Sequence, residues 1–339
     1  MRLFYLFLPA VLACIGSLYV THDSHASDQF EGDLDSSVVA PAEAASPFAP
    51  DETEEFPEAR TYGAKDQMHE IHGVSEVYKT RSLVGSKKLA LTFDDGPSAD
   101  TTPQLLDTLL KYDVKATFFL VTGKINDKTR PIVQRMLREG HTIGDHSIGH
   151  DDSRMQSEEK FRSRFLQSEL TIEQMKDLAV TEQHLPRQRE IYFRFPFASY
   201  GYQKGYQNMN VIKEISNKLY GENCINMVFW NMDTADYVSG MTKEDVYHNV
   251  KAYFQGGPAV TYHVEKDHRI TKKPYVVTNP PRGGVILMHD IHQHTVDAVP
   301  MILEWALRAG VEIVPLKSIK EYSFEGKKCE LKPEFRKMN

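Results

Sequence analysis

From residue 88 to residue 315 the chain switches about seven times between a short apolar run and a stretch with apolar residues at helical spacing. Residues 88–93, Lys-Leu-Ala-Leu-Thr-Phe, read as a buried strand. Thr102-Pro103 then supplies an N-cap and a proline at the first helical position, and Leu105, Leu106, Leu109 and Leu110 recur behind it. Further strand-like runs at 116–121, 142–144, 191–195, 225–230, 285–288 and 312–315 are separated by helical stretches at 132–139, 161–178, 211–219, 243–254 and 296–309. Gly140 and Gly310 stand where two of those helices should stop. Strands alternating with helices are joined by crossovers, so they pair in parallel under a cover of helices, an α/β fold. Residues 255–282 break the rhythm; polar and rich in His and Lys, they read as a long loop, of the kind that often carries function.

The rest of the chain is organised differently. Residues 28–58 hold ten Asp and Glu and no Lys or Arg, whereas everything after residue 58 has 39 basic and 36 acidic residues, a net of +3. With Pro41, Pro47, Pro50 and Pro57 and no periodicity, the acidic part reads as a disordered tether. No basic stripe marks a nucleic-acid footprint, and no protein partner is implied. Met1-Arg2, an uncharged stretch to Val20 and Ser24-His25-Ala26 read as an export signal cleaved after Ala26. Val11-Leu12-Ala13-Cys14 leaves a lipoprotein anchor open, and the stretch has marginal length for an uncleaved helix. Each reading places the protein outside the cytoplasm: secreted, periplasmic or on the cell envelope. The expected organisation is a signal at 1–26, a tether at 27–60, an extension at 61–86, the main domain at 87–322 and a tail at 323–339. Cys224 and Cys329 remain after cleavage; in an oxidising compartment they could pair, or stay as thiols.

The chemistry-bearing residues fall at one kind of place. Asp94-Asp95 follows the first strand-like run, His146 and His150 the third, Arg194 closes the fourth, Asp233 and Asp236 follow the fifth, and His289 the sixth. Active sites of α/β barrels and open sheets form at those carboxyl ends. Adjacent acids at a strand end point apart, so one can bind metal while the other acts as a base; Asp94-Asp95-Gly96-Pro97 is equally well a plain turn. Two histidines at i and i+4, His146 and His150, converge on one metal if the segment coils, or else are solvated loop residues. Joined by Asp95 they make two imidazoles and a carboxylate with positions left open, the arrangement of a catalytic divalent-metal site and one that suits zinc.

Thr92-Phe93-Asp94-Asp95-Gly96 and His146-Ser147-Ile148-Gly149-His150 resemble the first two motifs of the NodB-type polysaccharide deacetylases, carbohydrate esterase family 4. Arg194-Phe195-Pro196-Phe197, Asp233-Thr234-Ala235-Asp236-Tyr237 and Leu287-Met288-His289 resemble the remaining three, in order. The resemblance implies a distorted (β/α) barrel with a metal, usually zinc, at its mouth. It further implies Asp95, His146 and His150 as ligands, Asp94 as the base that activates the attacking water, and Arg194 holding Asp94. His289 would protonate the departing amine, Asp236 would orient His289, the N–H of Phe197 would meet the oxyanion, and Leu287 would shape the acetyl pocket. Tyr237, where the family usually has Trp, would wall the groove.

The implied activity is removal of N-acetyl groups from N-acetylglucosamine residues of a polysaccharide, with peptidoglycan first. The same machinery would serve chitin oligomers, an exported glucosamine polymer or O-acetylated sugars. A silent carbohydrate-binding module would be expected to lack the base, a ligand or the acid, and this chain keeps all of them. Residues 178–190 and 255–282 look long for the family, and His263, His268, His292 and His294 are extra histidines, readable as solvated loop residues or as a second metal or substrate contact.

Overall fold

A computed structural model describes residues 81–336 apart from 199, 201–206 and 266–268, so the expected export signal and tether, and most of the extension, lie outside the described residues. Among the described residues there are ten strands: β1 (Lys88–Asp94), β2 (Thr117–Leu120), β3 (Thr142–Asp145), β4 (Tyr192–Phe193), β5 (Asn226–Met227), β6 (Met232–Asp233), β7 (Gly257–Val264), β8 (Ile270–Val277), β9 (Gly284–His289) and β10 (Glu312–Ile313). Between them run α1 (Thr102–Lys111), α2 (Arg130–Arg138), α3 (Glu158–Gln183), α4 (Gln207–Leu219), α5 (Lys243–Gln255) and α6 (Gln293–Ala309), with a short α7 (Pro333–Arg336) near the end. Eight strands form one parallel sheet in the order β5-β4-β3-β2-β1-β9-β6, with β10 on the start of β1. It is the curled sheet of a distorted (β/α) barrel, as expected. Among the described residues no helix is long and apolar enough to cross a membrane.

The two-residue period of a strand decides what faces where. Leu89, Leu91 and Phe93 of β1, with Ile286 and Met288 of β9, pack under the helices. Ala90 of β1 and Val285 and Leu287 of β9 face the other side, into the barrel. By the same alternation Asp94 and His289, which end these strands and pair in register, also face inward. Both faces are covered, which is why these strands read as unbroken apolar runs.

The run at 225–230 is not one strand. Val228 N–H donates to Phe193 O on one edge of the sheet, and Asn231 N–H to Val285 O on the other, each at 2.9 Å. The segment therefore steps across the seam between β5 and β6, and is apolar but for Asn226 because all of it is buried. Residues 255–282 are not a loop either. Most of them form the antiparallel β7–β8 hairpin, with Gly257 opposite Val277 and Val264 opposite Ile270. Val260, Thr261, Tyr262, Ile270, Thr271, Tyr275 and Val276 supply its β-branched and aromatic content, which the interspersed lysines hide from a search for apolar periodicity.

Phe324, Cys329 and Leu331, beyond the expected domain end, are buried in the same core as β4 and β5. Tyr192 Oη donates to Tyr322 O at 2.7 Å, and Cys224 is disulfide-bonded to Cys329 across 105 residues of sequence. Closing so long a loop restricts the unfolded chain, so replacing both cysteines by serine is expected to cost about 2–4 kcal/mol. Urea unfolding midpoints of the two proteins measure this, and coincident midpoints would contradict it.

Candidate active site

The parallel register brings the carboxyl ends of β1, β2, β3, β4, β6 and β9 to one mouth. Asp95, just past β1, has a φ of 73°. Asp tolerates this left-handed conformation better than most residues, and it turns Asp95 away from Asp94. Gly96 follows against the buried Asp290; a Cβ there would lie 2.3 Å from Asp290 Oδ2, so the turn admits no side chain. Thr102 Oγ1 donates to the same oxygen at 2.5 Å and accepts from Ser98 N–H at 2.9 Å, tying the turn to α1. Burial pushes the Asp290 carboxyl up to about 7, a shift that the Thr102 hydrogen bond opposes and the Asp95 charge reinforces.

A second turn forms behind β3. Asp145 Oδ1 accepts from Ser147 N–H at 2.7 Å, and Gly123 N–H donates to Ile148 O at 2.9 Å. Gly123 lies so close that a Cβ would meet that carbonyl oxygen at 2.3 Å. The coil sets the rings of His146 and His150 5.3 Å apart. Their Nε2 atoms lie 3.5 and 3.4 Å from Asp95 Oδ1, and one donor atom from each of the three residues falls within 4.8 Å of the others.

These residues fit a divalent cation. Asp95 Oδ1 is buried with no hydrogen-bond partner, a costly state for a carboxylate oxygen unless something positive meets it. His146 Nδ1 lies 2.8 Å from Arg194 O and serves as its donor, which leaves Nε2 with its lone pair toward Asp95. Burial holds the His146 pKa down at about 3, keeping the ring neutral as a ligand must be. Among the described residues this is the one His/Cys/Asp/Glu group so arranged.

Asp94 does something different. Arg194, 1% exposed, donates from Nη1 to Asp94 Oδ1 at 2.7 Å and to Thr92 Oγ1 at 2.9 Å. Its Nε donates to Val228 O at 2.9 Å, and its guanidinium carbon sits 4.1 Å from the centre of the Phe119 ring. Burial raises the Asp94 pKa above its ordinary value, with Arg194 pulling the other way. Asp94 Oδ2 is left 3.8 Å from His146 Nε2, beside the three-residue cluster.

On the adjacent strand, His289 Nδ1 donates to Asp236 Oδ1 at 2.7 Å. Asp236 Oδ2 accepts from the His289 backbone N–H and from Thr295 Oγ1, both at 2.7 Å. Burial alone would lower the His289 pKa; the Asp236 carboxylate outweighs it and pushes the ring up to about 10. Tyr237 donates to Asp233 Oδ2 at 3.0 Å and sets its ring edge-to-face with His289, centres 5.6 Å apart. Phe197, with a φ of 55°, holds its ring 4.4 Å from that of His150, 59% exposed. Leu287 is buried on the inner face of β9.

Of the four extra histidines, His263, His292 and His294 form no second cluster of ligands among the described residues. His268 lies outside the described residues, and His263 is exposed on β7. His292 and His294 stack on each other at 5.3 Å, and His294 Nε2 lies 2.7 Å from Asp236 O. Sequence reasoning passed over Asp290 and Asp145, although each is an acid at the end of a buried strand, the same signal that singled out Asp94.

Residues 82–210 match the polysaccharide deacetylase family. A peptidoglycan-N-acetylglucosamine deacetylase of Listeria monocytogenes is 28% identical over 246 residues, 73% of this chain and 41% of that protein. One of Bacillus cereus is 28% identical over 244 residues, 71% of this chain and 70% of that protein. The chain thus spans less than half the length of the Listeria relative. A peptidoglycan N-acetylglucosamine deacetylase crystallised with an N-oxidanyl-benzamide shares the fold, with a TM-score of 0.51, 24% identity and coverage of 73% of this chain and 92% of that one.

Proposed function

We infer that this chain, which belongs to the NodB-type polysaccharide deacetylases, is an exported enzyme that removes N-acetyl groups from the N-acetylglucosamine residues of peptidoglycan. The observation that carries the reading is a pair of opposed proton-handling groups on neighbouring strands. Asp94 with Arg194 ends β1, His289 with Asp236 ends β9, and the Asp95, His146 and His150 cluster lies beside Asp94. Amide hydrolysis needs a base to take a proton from water and an acid to give one to nitrogen.

Asp95, His146 and His150 would hold a divalent ion, zinc by the chemistry of the set. Such an ion polarises the acetyl carbonyl and makes water more acidic. The remaining steps belong to the chain's own side chains. Asp94, fixed by Arg194, takes a proton from the attacking water. The N–H of Phe197 meets the oxygen that gains charge, a contact worth about 3 kcal/mol where such donors have been removed. Leu287 lines the space for the acetyl methyl. His289 gives its Nε2 proton to the departing nitrogen as the C–N bond breaks, leaving a free amino sugar and acetate. The peptidoglycan assignment is supported by the two relatives and by the export signal read in the sequence.

Acetate released from peptidoglycan, chitin oligomers and acetylated xylan tests the reading. The highest kcat/KM is expected on peptidoglycan, and equal rates with and without a chelator would remove the ion from the account. Activity confined to acetylated xylan would make the protein a sugar esterase instead.

A further inference from the structure

The β7–β8 hairpin stands outside the parallel sheet, and a two-stranded hairpin is marginal by itself. This one is fastened to the loop that carries Asp236. Buried Asn249 of α5 donates from Nδ2 to Thr234 O at 2.8 Å and to Val260 O at 2.7 Å, and accepts from Val260 N–H at 2.7 Å. One side-chain amide thus joins β7 to the start of that loop. At the other end of the loop Lys272 of β8 donates to Gly240 O at 3.0 Å. Between these anchors the Tyr262 ring lies 5.9 Å from that of Tyr237, which meets His289. Tyr262 is partly exposed and packs on both the inner and the outer core, which places it at the rim where the two meet. Tyr237 has its hydroxyl committed to Asp233 and its edge to His289; Tyr262 next to it is partly exposed.

We propose that the hairpin is the groove wall on the His289 side and that Tyr262 is its specificity-determining residue, its ring holding a pyranose of the polymer while the acetylated sugar sits at the mouth. Sugar C–H faces stack on aromatic rings. The inference rests on the deacetylase reading above, because it needs a glycan longer than the acetylated unit.

The test compares Tyr262→Ala, Tyr262→Phe and, as control, His263→Ala, the exposed neighbour on β7. Each is measured on a soluble N-acetylglucosamine oligomer and on a small activated acetyl ester that cannot reach the wall. Tyr262→Ala is expected to raise KM for the oligomer about tenfold, the size of one lost aromatic contact, with a much smaller fall in kcat. Ester turnover should change far less than the oligomer KM. Tyr262→Phe should restore most of the affinity, and His263→Ala should leave it unchanged. An unaltered oligomer KM in Tyr262→Ala, or equal losses on oligomer and ester, overturns the inference, the second outcome marking a purely structural role. Wild-type protein that releases acetate from no glycan overturns the deacetylase reading as well.

Discussion

Asn in place of Asp94 should lower kcat by roughly 10²–10⁴, the loss expected of a general base, while bound metal stays at the wild-type level. The two acids sit side by side in sequence but are held apart by the left-handed backbone at Asp95. Asp94 is turned to Arg194 and Asp95 to the two imidazoles. The amide of Asn can still accept from Arg194, so the fold around β1 should survive; it cannot take a proton. Asp95→Asn should differ, losing metal and turnover together, because the unpartnered Oδ1 is the atom the ion would meet. Elemental analysis beside steady-state kinetics separates the two. If Asp94→Asn strips the metal, the division between base and ligand is wrong.

The second large effect concerns the acid. His289 must carry a proton to give one, and Asp236 pushes its pKa up to about 10 against the opposing effect of burial. The rate should be bell-shaped in pH. Its alkaline limb should lie well above the ordinary imidazole value of 6.5, since the acid is lost as pH rises through the folded value. The acid limb, where Asp94 becomes protonated, should lie above the ordinary carboxylate value of 3.8, because burial raises it. Asp236→Asn keeps a hydrogen-bond acceptor but removes the charge, so the alkaline limb should move down by about one pH unit or more, with a fall in rate. Linkage has the same sign: the raised His289 stabilises the fold fully below the unfolded value of roughly 6.5, and that contribution fades as pH rises through about 10. An unmoved alkaline limb in Asp236→Asn would take Asp236 out of the mechanism.

The sheet was legible because its strands are buried on both faces, so Leu-Ala-Leu-Thr-Phe before Asp94, apolar but for Thr92, and Val-Ile-Leu-Met before His289 are runs without charge that stop at a titratable residue. The residues of the candidate metal site were legible in identity but not in geometry. Whether His146 and His150 converge depends on the Asp145–Ser147 turn and on the tight contact at Gly123, neither of which a spacing of four encodes. The hairpin was hidden for another reason. Its second strand is mostly exposed and carries Lys272 and Lys273, and it is fastened by Asn249, a residue that in sequence is only one more polar position on α5. Asp290 went unread because it follows a more conspicuous histidine.

The first and last parts of the domain meet. β10 pairs with the start of β1, and Ser82 N–H donates to Glu321 Oε1 at 2.8 Å. Residues 82 and 321 therefore lie together at the end of the barrel where the strands begin, and the mouth is at the other end. That end can be altered, at Ser82, at Glu321 or in the β1–β10 pairing, without touching the side chains gathered at the mouth.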